Sequence, residues 1–292
     1  MNARPTMVAE VPFRLTPRRN PLILVPVFVE GKGPYEFILD TGASISLLST
    51  ELARSLGVAV TRTEEGVGAG GNVSIELGRV GSLSIGETEL HDVEVGLTDE
   101  LARIGEVTRS KIDGDIGYNV LNHFRVTVDY GHNVLKLSSA TGGPCEEAAV
   151  PFEIAPTKPL MVLPVEVNGS GPYRFCLDTG TSMTAISPAF AARLGIPMQP
   201  GDRQGTGAGG KISVSFGRLA SLAIGHHRSS DLEVTSADFF SSITKACGTD
   251  FDGIVGYNFL KSYRLTIDYP QGRIELEPGH RNRPSSRANS LF

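Results

Sequence analysis

The chain has 292 residues, 40% of them hydrophobic and 20% charged, with a formal net charge of -5. That is the composition of a globular protein long enough for one large core or two small ones, which argues against disorder. No run of like charge offers a footprint for nucleic acid, and no segment approaches the roughly eighteen consecutive apolar residues of a membrane span, so neither partner is expected.

Read in chain order, the opening MNARPTMVAE lacks the charged start and apolar run of a signal peptide, which sets the expectation of a cytoplasmic location unless a leader has been trimmed. LILVPVFV (22–29), YEFILD (35–40), VSIEL (73–77) and FRVTVDY (124–130) alternate or run apolar over strand lengths. MVLPVEV (161–167), YRFCLD (173–178), ISVSF (212–216) and YRLTIDY (263–269) do the same further on. Helical spacing with a glycine stop appears in SLLSTELARSLG (46–57) and SPAFAARLGI (187–196), and YNVLNHF and YNFLKSY each predict a short helix. Between the two sets, SSATGGPCEEAA (138–149) reads as a linker, and RNRPSSRANSLF (281–292) as a solvated tail. Cys145, Cys176 and Cys247 form no CxxC or His-Cys cluster, so reduced thiols are expected, with no disulfide framework and no metal or cofactor. His226-His227 is read as a pair of solvated turn residues.

The chain is written twice. VPFRLTPRRNPLILVPVFVEGKGPYEFILDTGAS from Val11 is answered by VPFEIAPTKPLMVLPVEVNGSGPYRFCLDTGTS from Val150. Asp40 and Asp178 are 178 − 40 = 138 positions apart, and Gly66/Gly205, Leu77/Phe216 and Asp113/Asp252 are each 139 apart. Such a period is too long for a solenoid repeat and suits a small domain. Lobes are therefore expected over 10–140 and 149–280, with mainly β architecture.

Each copy delivers Asp-Thr-Gly at the end of an apolar strand, FILD or FCLD. One such tripeptide is weak evidence, because these are turn residues. Two in equivalent places allow Gly42 and Gly180 to turn the chain so that Asp40 and Asp178 meet. Carboxylates about 3 Å apart cannot both ionise; they share a proton and can act together as general base and general acid on a bound water. The hydroxyls of Thr41 and Thr179 are placed to hydrogen-bond across to the opposite loop.

These residues resemble the retropepsin-like and pepsin-like aspartic proteases, and the likeness extends over nearly the whole chain. A tandem, single-chain bacterial retropepsin-like protease is the nearest description. The resemblance implies two acid-protease β-barrel lobes related by a pseudo-two-fold axis, an extended polypeptide substrate between them, and a complete site in one monomer. By the same likeness Gly68, Ala69, Gly70, Gly71 and Gly207, Ala208, Gly209, Gly210 are flap tips. Ile116 and Ile254-Val255 then lie in the strand behind the catalytic loop, where they and Asp115 border the substrate.

The segments GVGAGG (66–71) and GTGAGG (205–210) also satisfy the GxGxxG spacing of dinucleotide-binding folds, but NVSIEL and KISVSF follow them with strand alternation, where that motif needs a helix. Two differences break the repeat. Asp115 stands where the second copy has Ile254, giving either an acidic subsite for a basic or polar side chain or a solvent-facing, capping Asp. Ala43 stands where the second copy has Thr181, whose hydroxyl could stabilise the Asp178 carboxylate and favour Asp40 as proton holder. The functional expectation is a selective endopeptidase, with a catalytically silent peptide-binding protein as the alternative. The basic TPRRN segment (16–20) is a candidate restraint lying in the cleft.

Overall fold

The computed structural model describes residues 7–17, 21–139 and 148–279. Arg18 and Arg19 of TPRRN, the centre of the linker with Cys145, and the tail 281–292 lie outside the described residues.

Two eight-stranded sheets, one in each half of the sequence, share one strand order. In the first, the strand Ile23–Val29 pairs with Lys32–Leu39, and its far end also pairs with Gly71–Ile85 through Phe28↔Ser84 and Val29↔Leu83. That second pairing closes the sheet on itself, as a barrel does to remove its edges. The second half repeats it, Met161–Val167 meeting Gly210–Ile224 at Glu166↔Ala223 and Val167↔Leu222. A third, six-stranded sheet takes strands from both halves. At its centre Phe124–Asp129 runs antiparallel to Tyr263–Asp268, with Thr127 opposite Thr266 and their hydroxyls 2.9 Å apart. The core is correspondingly continuous: Val126, Val128, Leu265 and Ile267 have no exposure and belong to one cluster reaching into both barrels.

Six helices decorate the sheets among the described residues: α1 Thr50–Leu56, α2 Glu100–Thr108, α3 Tyr118–Leu121, α4 Pro188–Arg193, α5 Phe240–Cys247 and α6 Tyr257–Leu260. Four correspond to the sequence expectations. The first of those expectations began too early, since Leu47–Ser49 is a strand and the helix starts only at Thr50. Ser49 and Ser187 cap α1 and α4, each accepting from a backbone N–H three residues on. Helices α2 and α5 were not anticipated. Neither has a side-chain cap bond, so the usual start signal is missing. Both cover satellite apolar clusters: Leu101 and Ile104 of α2 close over Leu22, Leu24, Ile38 and Ile112, while Phe240 and Ile243 of α5 close over Leu160, Val162, Cys176 and Ile254. Tertiary burial rather than local signal forms them.

One expectation about a single residue needs correction. His227 is not a solvated turn residue: it opens a strand, is buried, and packs edge-on against Tyr263 with ring centroids 5.3 Å apart. Burial, reinforced by the neighbouring His226, lowers its pKa. Cys176 and Cys247 are both free and buried, and burial raises both thiols' pKa values, so neither is set up as a nucleophile.

Candidate active site

The strand Lys32–Leu39 ends directly before Asp40, and the strand Gly114–Ile116 lies beside it in parallel register, Leu39 opposite Ile116. The backbone N–H of Asp40 continues that ladder by donating to Ile116 O at 3.1 Å, and Asp178 repeats it with Val255 O at 3.0 Å. Each aspartate is thus set by sheet hydrogen bonds, while the chain turns immediately after it. Within the turns Gly42 N–H donates to Asp40 Oδ1 at 2.7 Å and Gly180 N–H to Asp178 Oδ1 at 2.8 Å. Charge-assisted bonds of this kind fix a carboxylate's plane as well as favouring its ionised form.

The loops lock across the axis. Thr41 N–H donates to Thr179 Oγ1 and Thr179 N–H to Thr41 Oγ1, both at 3.1 Å. The hydroxyls pass their own protons to the opposite strand ends, Thr41 to Leu177 O at 3.1 Å and Thr179 to Leu39 O at 2.7 Å. Both threonines are 1% exposed, so losing either side chain would strand buried backbone groups. A methyl on Gly42 would lie 2.7 Å from the Asp178 carboxyl carbon, and one on Gly180 would collide with the Asp40 carboxyl. Only glycine lets each loop come this close to the other's carboxylate.

Burial first, then the charge of Asp178 and a hydrogen bond to it, push Asp40 well above the usual carboxylate range. Thr181 donates to Asp178 Oδ2 at 2.5 Å, whereas Ala43 offers Asp40 no such donor.

Sequence reasoning missed the support behind these loops. Asn119 Oδ1 accepts from Ser46 N–H and Oγ at 2.7 and 2.9 Å, and its amide donates to Glu94 O at 2.8 Å. Asn258 does the same with Thr184 and Glu233. Ser46 and Thr184 in turn accept from Gly117 N–H and Gly256 N–H. The signal was present as GYN, repeated after both short strands.

The glycine-rich segments are hairpin tips, with Gly68 paired to Gly71 and Gly207 to Gly210. The tips touch: Gly70 N–H donates to Ala208 O at 2.8 Å, and a side chain on Gly68 would collide with Ala208. Ala69 sits against the other tip as well, 2.9 Å from where a methyl on Gly207 would be. Glu100 at the start of α2 accepts from Gly209 N–H at 3.2 Å, tying one tip to the opposite half.

The expected subsite residues separate. Ile116 and Val255 have no exposure and belong to the main core, so neither lines the cleft. Ile254 is 7% exposed and faces the cluster under α5. Asp115 is neither solvent-facing nor a cap, correcting that alternative: it is 4% exposed, its Oδ1 has no hydrogen-bond partner among the described residues, and it lies in sheet register with Ile38, two residues before Asp40. Among the described residues no His, Cys, Asp and Glu grouping forms a metal site, and no helix is long and apolar enough to cross a membrane.

Paired aspartates on cross-braced, symmetry-related loops under two hairpin flaps define an acid-protease type of protein. A family model described as aspartyl protease matches residues 25–120 and again residues 163–259, and the chain belongs to that family as a tandem retropepsin-like protein. No curated protein sequence matches it.

Proposed function

We propose that the protein is an aspartic endopeptidase with Asp40 and Asp178 as its catalytic pair, acting on a polypeptide segment held extended between the halves and under the flap tips. The observation that carries this reading is the meeting of the two Asp-Thr-Gly loops, which brace each other through Thr41 and Thr179 and bring each aspartate's carboxyl against the other loop's glycine. One molecule supplies both halves of the site, so a monomer is sufficient.

The chemistry follows from a pair holding one proton. The ionised carboxylate accepts a proton from a water lying between the two groups as the water oxygen bonds to the peptide carbonyl carbon. The protonated partner gives its proton to the carbonyl oxygen, leaving a neutral tetrahedral diol. One carboxyl then gives a proton to the amide nitrogen while the other takes one from a diol hydroxyl, so that the C–N bond breaks to an acid and an amine and the pair again holds one proton. No covalent enzyme intermediate arises, and positioned proton transfer of this kind contributes typically 10²–10⁴-fold. The glycine-rich tips present backbone N–H and C=O groups to an extended substrate, the usual way a strand-like peptide is held. Selectivity for particular processing sites is part of the proposal, since a cleft closed by two tips admits an extended segment rather than a folded surface.

The test is cleavage of a diverse peptide mixture by the wild-type chain and by Asp40→Asn from acidic to neutral pH, with products identified by mass. Hydrolysis lost in the variant supports the pair; a folded wild-type chain that cleaves nothing moves the protein to peptide binding without turnover.

A further inference from the structure

Asp115 is a carboxyl where no simple structural role asks for one. Its strand neighbours in register are Ile38, a member of the apolar cluster covered by α2, and Leu47, which packs against that cluster. The second half fills the equivalent place with Ile254 and folds in the same way around it. The Asp115 side chain is 4% exposed, and no N–H or hydroxyl among the described residues donates to its Oδ1.

The charged groups of the surrounding elements are already occupied. Asp113, just before the same strand, pairs with Lys111, Glu36 on the neighbouring strand lies 3.1 Å from Arg14, and Glu100 of α2 pairs with Arg103. What raises the Asp115 pKa is burial first, then Asp40 by charge and by hydrogen bond, and more weakly the charge of Asp178. A buried carboxyl with no cation beside it and another carboxyl in hydrogen-bond contact avoids a large desolvation cost only by staying neutral. A neutral carboxyl is a donor, and the acceptor in contact with it is Asp40.

The asymmetry at position 43 gives this donor a purpose. In the second half Thr181 donates to Asp178 from within its own loop; Ala43 cannot do so for Asp40. We propose that Asp115 is a positioning residue, a third carboxyl that remains protonated and donates to Asp40, replacing in the first half the hydroxyl that Thr181 supplies in the second. This rests on the reading of Asp40 and Asp178 as the catalytic pair. The two donors differ in one respect: a threonine hydroxyl does not titrate, whereas Asp115 does. When Asp115 loses its proton, Asp40 loses a donor and gains a negative neighbour, so the site carries its own shut-off at rising pH. Consistently, the bond from Asp115 eases the Asp40 pKa downward, while burial first and then Asp40 raise that of Asp115.

The experiment has two arms on the full chain. The first follows side-chain carboxyl carbons of ¹³C-aspartate-labelled protein by NMR through a pH titration and needs no turnover; Asp115 is assigned by the signal lost in Asp115→Asn or, should that variant not fold, in Asp115→Ile. The expected result is an Asp115 carboxyl still protonated at neutral pH, with its midpoint moving down in Asp40→Asn. A midpoint in the ordinary carboxylate range, indifferent to Asp40→Asn, overturns the proposal. The second arm compares pH profiles of kcat/KM on a cleaved peptide. Asp115→Asn, whose amide still donates but cannot ionise, should carry its high-pH limb at least roughly one pH unit above wild type, and at acidic pH exceed Asp115→Ile by roughly tenfold, the worth of a hydrogen bond to a charged group. Profiles that superimpose, with only the preference for basic side chains lost, overturn the proposal in favour of an acidic subsite. If the wild-type chain cleaves nothing while the NMR result holds, the protease reading falls and the third carboxyl stands.

Discussion

The two halves are most alike in the bonds that brace the aspartate loops and least alike in the residues that flank those braces. Thr41 and Thr179, Gly42 and Gly180, and Asn119 and Asn258 make matching bonds within tenths of an ångström. Beside those braces the copies part. Ala43 faces Thr181, Asp115 faces Ile254, and Glu100, which holds a flap tip, faces Phe239, which stacks on Phe240. A two-fold axis forces any residue near it to suit its own copy, whereas a residue off the axis needs only to suit its half. The difference separates parts that build the fold from parts that tune a single-proton reaction, for which two equivalent carboxylates are of no use.

The comparison can be broken first at the aspartates. Asp40→Asn and Asp178→Asn should each cut kcat/KM by at least about 10²-fold and to a similar extent. A loss confined to one of them would mean that the halves do not share one proton. Next come the braces: Thr41→Val and Thr179→Val each leave a buried N–H without an acceptor, worth roughly 1–3 kcal/mol of stability by urea unfolding, and the two values should agree. Unequal losses would place more of the interface on one loop.

A subtler contrast is in pH. Asp40 and Asp115 retain protons in the folded chain at pH values where the unfolded chain has released them, so folding binds protons. Stability therefore falls as pH rises from the ordinary carboxylate range towards the raised folded values. Asp115→Asn should gain in melting temperature relative to wild type as pH rises from about 3 to about 8, while an Ile254→Val control shows a constant offset. The smallest effect concerns the flap: Glu100→Ala removes one hydrogen bond to Gly209, about 1 kcal/mol, which should appear as a few-fold change in KM and in hydrogen exchange at 207–210. Phe239→Ala should leave that segment's exchange unaltered.

Much of the fold was legible because the repeat doubled every weak signal. A single DTG or glycine cluster is ambiguous, but each occurs twice in step, which is why Asp40, Asp178 and the hairpin tips were found. Two of the helices that announced themselves carry serine caps and the other two open on the repeated Gly-Tyr-Asn; α2 and α5 have neither and exist because Leu101 and Phe240 find apolar clusters to cover. Ile116 and Val255 were misplaced for a reason of period. Successive strand residues face opposite sides, and alternation alone does not say which face looks inward when both are covered. Asp115 was singled out as a break in the repeat, but its contact with Asp40 depends on two chain segments 75 positions apart, beyond any local pattern.

At the centre of the shared sheet Thr127 lies opposite Thr266, the residue that answers it in the other copy, and on either side Arg125 lies opposite Asp268 and Asp129 opposite Arg264. A substitution there meets its own counterpart as a neighbour, so the two halves can change only in concert. That seam acts as a hinge pin for divergence: it holds the copies in register while the rest of each is free to specialise, and a gene duplicated once could acquire distinct left and right hands without ever ceasing to fit together.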